Sequence, residues 1–159
     1  MVELATVTAA ISAATAAVGL IDKMADQIMR FVKGEAEPSV PPEHRLKIEK
    51  EGNAIVSKSH GQVSQRISAE DLQRLPEAKL RHIQVLEQSM NNHYSIWAAV
   101  YPQLALAIDP IAKARTEQQL KGVITDMKID LDGILNFLVS CGLQLDDHYM
   151  QIRSVVQSV

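Results

Sequence analysis

The sequence predicts a mainly α protein: an antiparallel helical bundle of about four helices with a small polar β-hairpin-like insertion. Three observations carry this. Apolar residues recur at alternating three- and four-residue steps over long runs, which is the spacing of one buried helix face. Aromatic residues make up only 4% of the 159, so the core is aliphatic and suits helix packing better than a sheet sandwich. Gly, Pro and Asp stand where helices of this length should begin and end.

Taken in order, the first helix is expected over residues 3–33. Leu4, Val7, Ile11, Ala14, Val18, Ile21, Ala25, Ile28 and Val32 keep 3-4 spacing throughout, the pattern of a coiled-coil seam or a bundle helix. Ala5, Ala9, Ala13 and Ala17 run beside it as a ladder of small side chains. Gly34 ends the helix, and residues 34–44, with three prolines, read as a linker.

Residues 45–67 change character. Arg45–Glu51, Ala54–Ser59 and Gln62–Ile67 are short runs separated by Gly52-Asn53 and His60-Gly61, which suggests a hairpin or a three-stranded meander. The alternation is weak and the stretch is polar, so an irregular flap stays open as the alternative. Residues 68–159 form the helical core, and the whole chain reads as one domain. Ser68 caps a short helix from Ala69 to Leu75 with Glu70 and Asp71 in its first turn. Pro76 begins the next, striped by Leu80, Ile83, Leu86, Met90, Tyr94, Trp97, Tyr101 and Leu104. Pro102 removes an internal hydrogen bond, so a kink or break is expected there.

The clearest helix follows, and the rest of the chain is read as built around it. Asp109 suits the N-cap, Pro110 the first helical position and Gly142 the C′ position. Leu120, Val123, Met127, Leu131, Ile134, Leu138 and Cys141 mark its buried seam. Gly122 and Gly133 lie on nearly one face, and each costs roughly 1 kcal/mol against Ala. A second helix approaching closely at both would explain them; simple tolerance is the alternative. A last amphipathic helix carries Leu145, Tyr149, Ile152, Val156 and Val159.

Several function classes find no support. The net charge of −3 and the absence of a basic run argue against nucleic acid. There is no Gly-rich phosphate loop, Cys-x-x-Cys or His-Glu-x-x-His, and no histidine has Glu three residues before it. No cofactor and no metal are expected. The single cysteine, Cys141, fits a reducing compartment and reads as a small core residue. Leu4–Ile21 is uncharged, but Glu3 precedes it where a signal peptide would carry Lys or Arg. Seven of its 18 residues are Ala and four are Ser or Thr, marginal for a membrane span. A cytoplasmic location is the expectation.

Three constellations bear weighing. Asp146-Asp147-His148 offers metal-type ligands, but a helix-capping Asp beside a solvated one is the better account. Asp126, Asp130 and Asp132 read as a solvated acidic face before they read as a cation site. His93, Tyr94, Trp97 and Tyr101, with His82 nearby, line a pocket only if Pro102 disturbs the packing; otherwise they are a core aromatic cluster.

The function expected is that of a non-enzymatic interaction module, self-associating or docking a protein through Leu4, Val7, Ile11, Val18, Ile21 and Ile28. At about 1.5 Å per residue a 30-residue helix spans roughly 45 Å, and a helix broken at Pro102 could not cover it. On this reading, Asp at Ile11 and Val18 should dissociate the assembly and spare the remaining core. The alternatives are an Ala-rich first helix that inserts into a membrane on a trigger, and an enzyme using His93 or His148 as acid–base group near Trp97.

Overall fold

A computed structural model describes residues 2–34 and 40–159. Residues 35–39 of the expected linker therefore lie outside the described residues. The protein is mainly helical, 72% helix, with five α-helices and one three-stranded antiparallel sheet among the described residues. In chain order these are α1 (Leu4–Lys33), β1 (Lys47–Glu51), β2 (Ala54–Ser59), β3 (Gln62–Ser68), α2 (Ala69–Gln73), α3 (Glu77–Leu106), α4 (Pro110–Ser140) and α5 (Asp147–Gln157). A single 3-10 turn at Pro42–His44 precedes the sheet.

Local chemistry sets the ends of these elements. Asp109 accepts a hydrogen bond from the Ile111 amide at 3.3 Å, and Pro110 occupies the first turn of α4. At the other end Gly142 has φ +101°, and the Leu143 amide reaches back to the Leu138 carbonyl at 3.1 Å. With Gly142 N–H on the Val139 carbonyl at 2.9 Å, this is a Schellman closure, which needs the left-handed residue. Ser68 and Asp71 exchange side-chain and backbone bonds as a capping box at the start of α2. Asp146 caps α5 through the Tyr149 amide at 3.3 Å.

The segment from 47 to 68 is a meander, not a flap. Strand order is β1-β2-β3, with Glu51 opposite Ala54 and Ser59 opposite Gln62. The Gly52 turn begins at φ +60°, and His60 and Gly61 both take positive φ, as tight hairpin turns with the right twist require. A register shift falls between Ser57 and Lys58. Ile48, Ile55 and Ile67 reach the core, whereas Lys58 pairs with Glu49 and Glu51 at 3.1 and 3.4 Å on the outside.

The core differs from expectation in its centre. It is α1, not α4, that touches every other helix and two of the strands. Leu4 is 54% exposed, but Val7, Ile11, Val18, Ile21 and Ile28 are 0–2% exposed inside the protein's own core. Pro102 does not shorten α3, contrary to the expected break. Helix α3 runs unbroken through that proline for 30 residues, the same length as α1. Its missing N–H would have bonded Ala98, whose residue is exposed, so water can take the freed carbonyl. With α3 intact and α4 31 residues long, α1 has full-length partners and its seam is covered.

The two α4 glycines separate. A Cβ on Gly133 would lie 2.8 Å from Leu86 Cδ1, the close approach that was expected. Gly122 is exposed and a Cβ there would meet nothing within 4 Å. Gly122→Ala is therefore expected to stabilise the protein by about 0.5–1 kcal/mol through helix propensity. Gly133→Leu is expected to destabilise it by about 1–3 kcal/mol through overpacking against Leu86. Urea unfolding of the two variants measures both signs, and a stabilising Gly133→Leu would show that Leu86 has room to move.

Candidate functional site

The most distinct surface feature lies where α1, α3 and α4 end together. A cleft of about 900 Å³ is lined by Arg30, Phe31, Val32, Gly34, Tyr101, Pro102, Leu104, Ala105, Lys113, Glu117, Lys121, Ser158 and Val159. Its aromatic wall is firmly held. Trp97 is fully buried and donates its indole N–H to Gln27 Oε1 at 2.8 Å. Tyr101 stacks on Trp97 with centroids 5.2 Å apart, and Phe31 meets the indole edge-on at 6.0 Å. The opposite side belongs to α4, where Lys113, Glu117 and Lys121 recur every four residues along one face.

Beside the cleft, the corner joining α3 to α4 is apolar and open. Leu106, Ile108 and Ile111 are 77%, 96% and 70% exposed. Single exposed aliphatics are ordinary; three within six residues at one tip are a patch. The sequence reading missed it, because Leu106, Ile108 and Ile111 flank the Asp109-Pro110 helix start and looked like ordinary helix-end residues. The signal present was the run Leu104-Ala105-Leu106-Ala107-Ile108 ahead of the cap, which exceeds what one buried face needs.

The residues weighed as a possible pocket or a core aromatic cluster are dispersed, apart from the stacked pair Trp97 and Tyr101. Tyr101 lines the cleft and Trp97 lies in the core behind it. Tyr94 sits on the α1 side, with Lys23 Nζ 5.5 Å from its ring centre. His93 turns the other way, to α4. Its Nε2 lies 2.8 Å from Asp130 Oδ2, the same oxygen that accepts the Ser89 hydroxyl. Ser89 Oγ and His93 Nε2 are 3.4 Å apart. A hydrolytic triad places the imidazole between hydroxyl and carboxylate. Here one carboxylate oxygen stands between the other two, so the hydroxyl proton points at Asp130 and not at the base. The arrangement is an interhelical polar clamp, and Asp130 is a paired residue, contrary to the expected solvated face.

The second acid–base candidate, His148, lies at the α1–α5 junction. It is 6% exposed, and burial holds its pKa below the ordinary histidine value. Its Nε2 is 3.9 Å from Asp22 Oδ1, too far for a hydrogen bond. Tyr149 donates to Asp22 Oδ2 at 3.3 Å, and Arg45 grips Asp26 with two nitrogens at 2.8 and 3.2 Å. Asp22 keeps 42% of its side chain in solvent, yet packing around the carboxyl pushes its pKa up to about 6. Asp146 caps α5, and its Oδ2 accepts the Leu46 amide at 2.9 Å, while Asp147 is exposed. Asp22, Asp26 and Asp146 thus each have a structural partner, while the His148 ring is packed without a hydrogen bond to any of them.

Among the described residues no group of three His, Cys, Asp or Glu side chains converges as a metal site would. Asp126 is exposed, and Asp132 lies 2.8 Å from Arg153 Nε. Cys141 is half-buried, and burial raises its thiol pKa to about 11, the reverse of what a reactive thiolate needs. Helix α1 is long and apolar enough by itself to cross a membrane, with a mean hydropathy of 1.9 over its best window. No family model, curated protein or solved structure matches this chain.

Proposed function

We propose that this chain is an antiparallel helical bundle that works as a non-enzymatic self-associating module, joined through the α3–α4 corner. The interface thereby moves from the α1 seam, whose side chains are committed to the core, to the surface left open. The observation that carries the reading is the corner itself, with Leu106, Ile108 and Ile111 at 70–96% exposure beside an apolar-walled cleft. A two-fold interface must be self-complementary, so one patch has to hold both a projection and a recess. Corner and cleft adjoin through Leu104 and Ala105, so a two-fold pairing can place each tip in the other copy's cleft. Burying three large aliphatic side chains per copy supplies a favourable term of about 1.5–3 kcal/mol for each one fully covered.

Membrane insertion is the second reading, favoured by the apolarity of α1. It requires α1 to leave the core first, because Val7, Ile11 and Val18 are fully buried. At the corner, the Asp109 carboxylate sits beside Ile108 at the tip, which disfavours contact with an anionic bilayer.

Sedimentation velocity across a range of concentrations tests self-association. The wild type is expected to form a dimer and the Leu106→Ser/Ile108→Ser variant a monomer of unchanged helicity. A wild type that stays monomeric, or a variant that still dimerises, overturns the proposal.

A further inference from the structure

We propose that the cleft is a binding site for an amphipathic anion of the fatty-carboxylate class. Its volume of about 900 Å³ falls within the range of small-ligand sites, roughly 300–1,000 Å³. The two sides differ in chemistry. Phe31, Tyr101 and Leu104 form an apolar wall that takes a hydrocarbon chain. Lys113 and Lys121, two turns apart on α4, supply cations at the rim together with Arg30. Against these three stand the Glu117 carboxylate and that of Val159, to which Lys128 donates, so the rim keeps a small net positive charge. Among the described residues none of Arg30, Lys113, Lys121 and Glu117 is within salt-bridge distance of an opposite charge. Cations above an apolar wall suit a ligand with one anionic end and one long apolar end. A short anion would leave the wall wet, and an apolar cation would meet like charge.

The buried wall provides a reporter. Trp97 is the only tryptophan, and its stacking partner Tyr101 faces the cleft. A chain laid on Tyr101 is therefore expected to change Trp97 emission without touching the indole.

The test uses dodecanoate below its micelle concentration, followed by calorimetry and Trp97 fluorescence on the full chain. Saturable binding at one site is expected. Dodecyltrimethylammonium, with the same tail and opposite charge, should bind about tenfold more weakly or worse, and butyrate should not bind measurably. Lys113→Glu/Lys121→Glu should weaken dodecanoate by about tenfold or more while leaving the circular dichroism unchanged. Equal affinity for the cationic amphiphile, an unaffected double variant of native helicity, or no saturable binding overturns the proposal. So does sedimentation with phosphatidylglycerol vesicles without binding of free dodecanoate, which would assign the face to a membrane.

The ligand and the tip of a second copy would share the cleft, so dodecanoate is expected to compete with dimerisation and to bind a monomeric variant at least as tightly. The titration is therefore repeated on Leu106→Ser/Ile108→Ser, whose altered side chains lie outside the cleft lining. Binding by that variant supports the ligand site even if the wild type proves monomeric. A dimer that ignores dodecanoate in every form leaves self-association standing and removes the ligand.

Discussion

Replacing Ile11 and Val18 together by Asp is expected to unfold the protein, rather than to release a partner from a folded core. Both side chains are 0% exposed and lie on the face of α1 packed among the other helices. The two belong to a cluster of buried apolar residues, which offers a carboxylate no partner. An uncompensated buried charge costs about 3–5 kcal/mol, so the pair removes an amount comparable with the whole stability of a domain, about 5–15 kcal/mol. Loss of far-UV helical signal and of the cooperative thermal transition is the expected result. A double variant that keeps both would mean that α1 is an appendage and not the centre of the core.

Trp97→Ala is expected to be the most damaging single truncation, at about 3–5 kcal/mol. The indole is the largest fully buried side chain and holds Phe31, Tyr101 and Gln27 in place at once. Its removal leaves a cavity lined by two rings and strips the Gln27 carbonyl of its donor. Trp97→Phe separates these effects, because it keeps most of the packing and loses the N–H bond, at about 1 kcal/mol for the bond alone. Chemical denaturation of both variants measures the difference. A Trp97→Ala loss no larger than that of Trp97→Phe would show that the ring's volume contributes little. The same variant should also loosen the cleft wall, since Tyr101 stacks on the lost ring.

Much of this architecture is legible one segment at a time. The ends of α4 follow from Asp109, Pro110 and Gly142, and the start of α2 from Ser68 and Asp71, because a cap is completed within a few residues of itself. The two hairpin turns follow from Gly52-Asn53 and His60-Gly61 for the same reason. The 3-4 stripes of α1, α3 and α4 identify which face of each helix avoids water. They do not identify what covers it. Pro102 was misjudged on that account: its local penalty is real, but tertiary packing keeps α3 helical and water can satisfy the carbonyl it frees.

The candidate site was legible only in fragments. Tyr101 was singled out beside Trp97, but Arg30 and Phe31 come from a helix end some 70 residues earlier, and Lys113 and Lys121 from the next helix. Nothing in one sequence shows that these ends meet. Asp130 likewise gives no sign that Ser89 and His93, on a different helix, converge on it.

By itself the sequence determined the helical class, the turns, the caps and the apolar stripes, because each is decided by backbone and solvent forces acting over one or two helical turns. Tertiary structure alone decided that the α1 seam is the core, that Gly133 and not Gly122 meets another helix, and that Leu106, Ile108 and Ile111 are left outside. Those outcomes depend on which helices are long enough and close enough to cover one another. Burial is a property of pairs of surfaces, and no single stripe contains it.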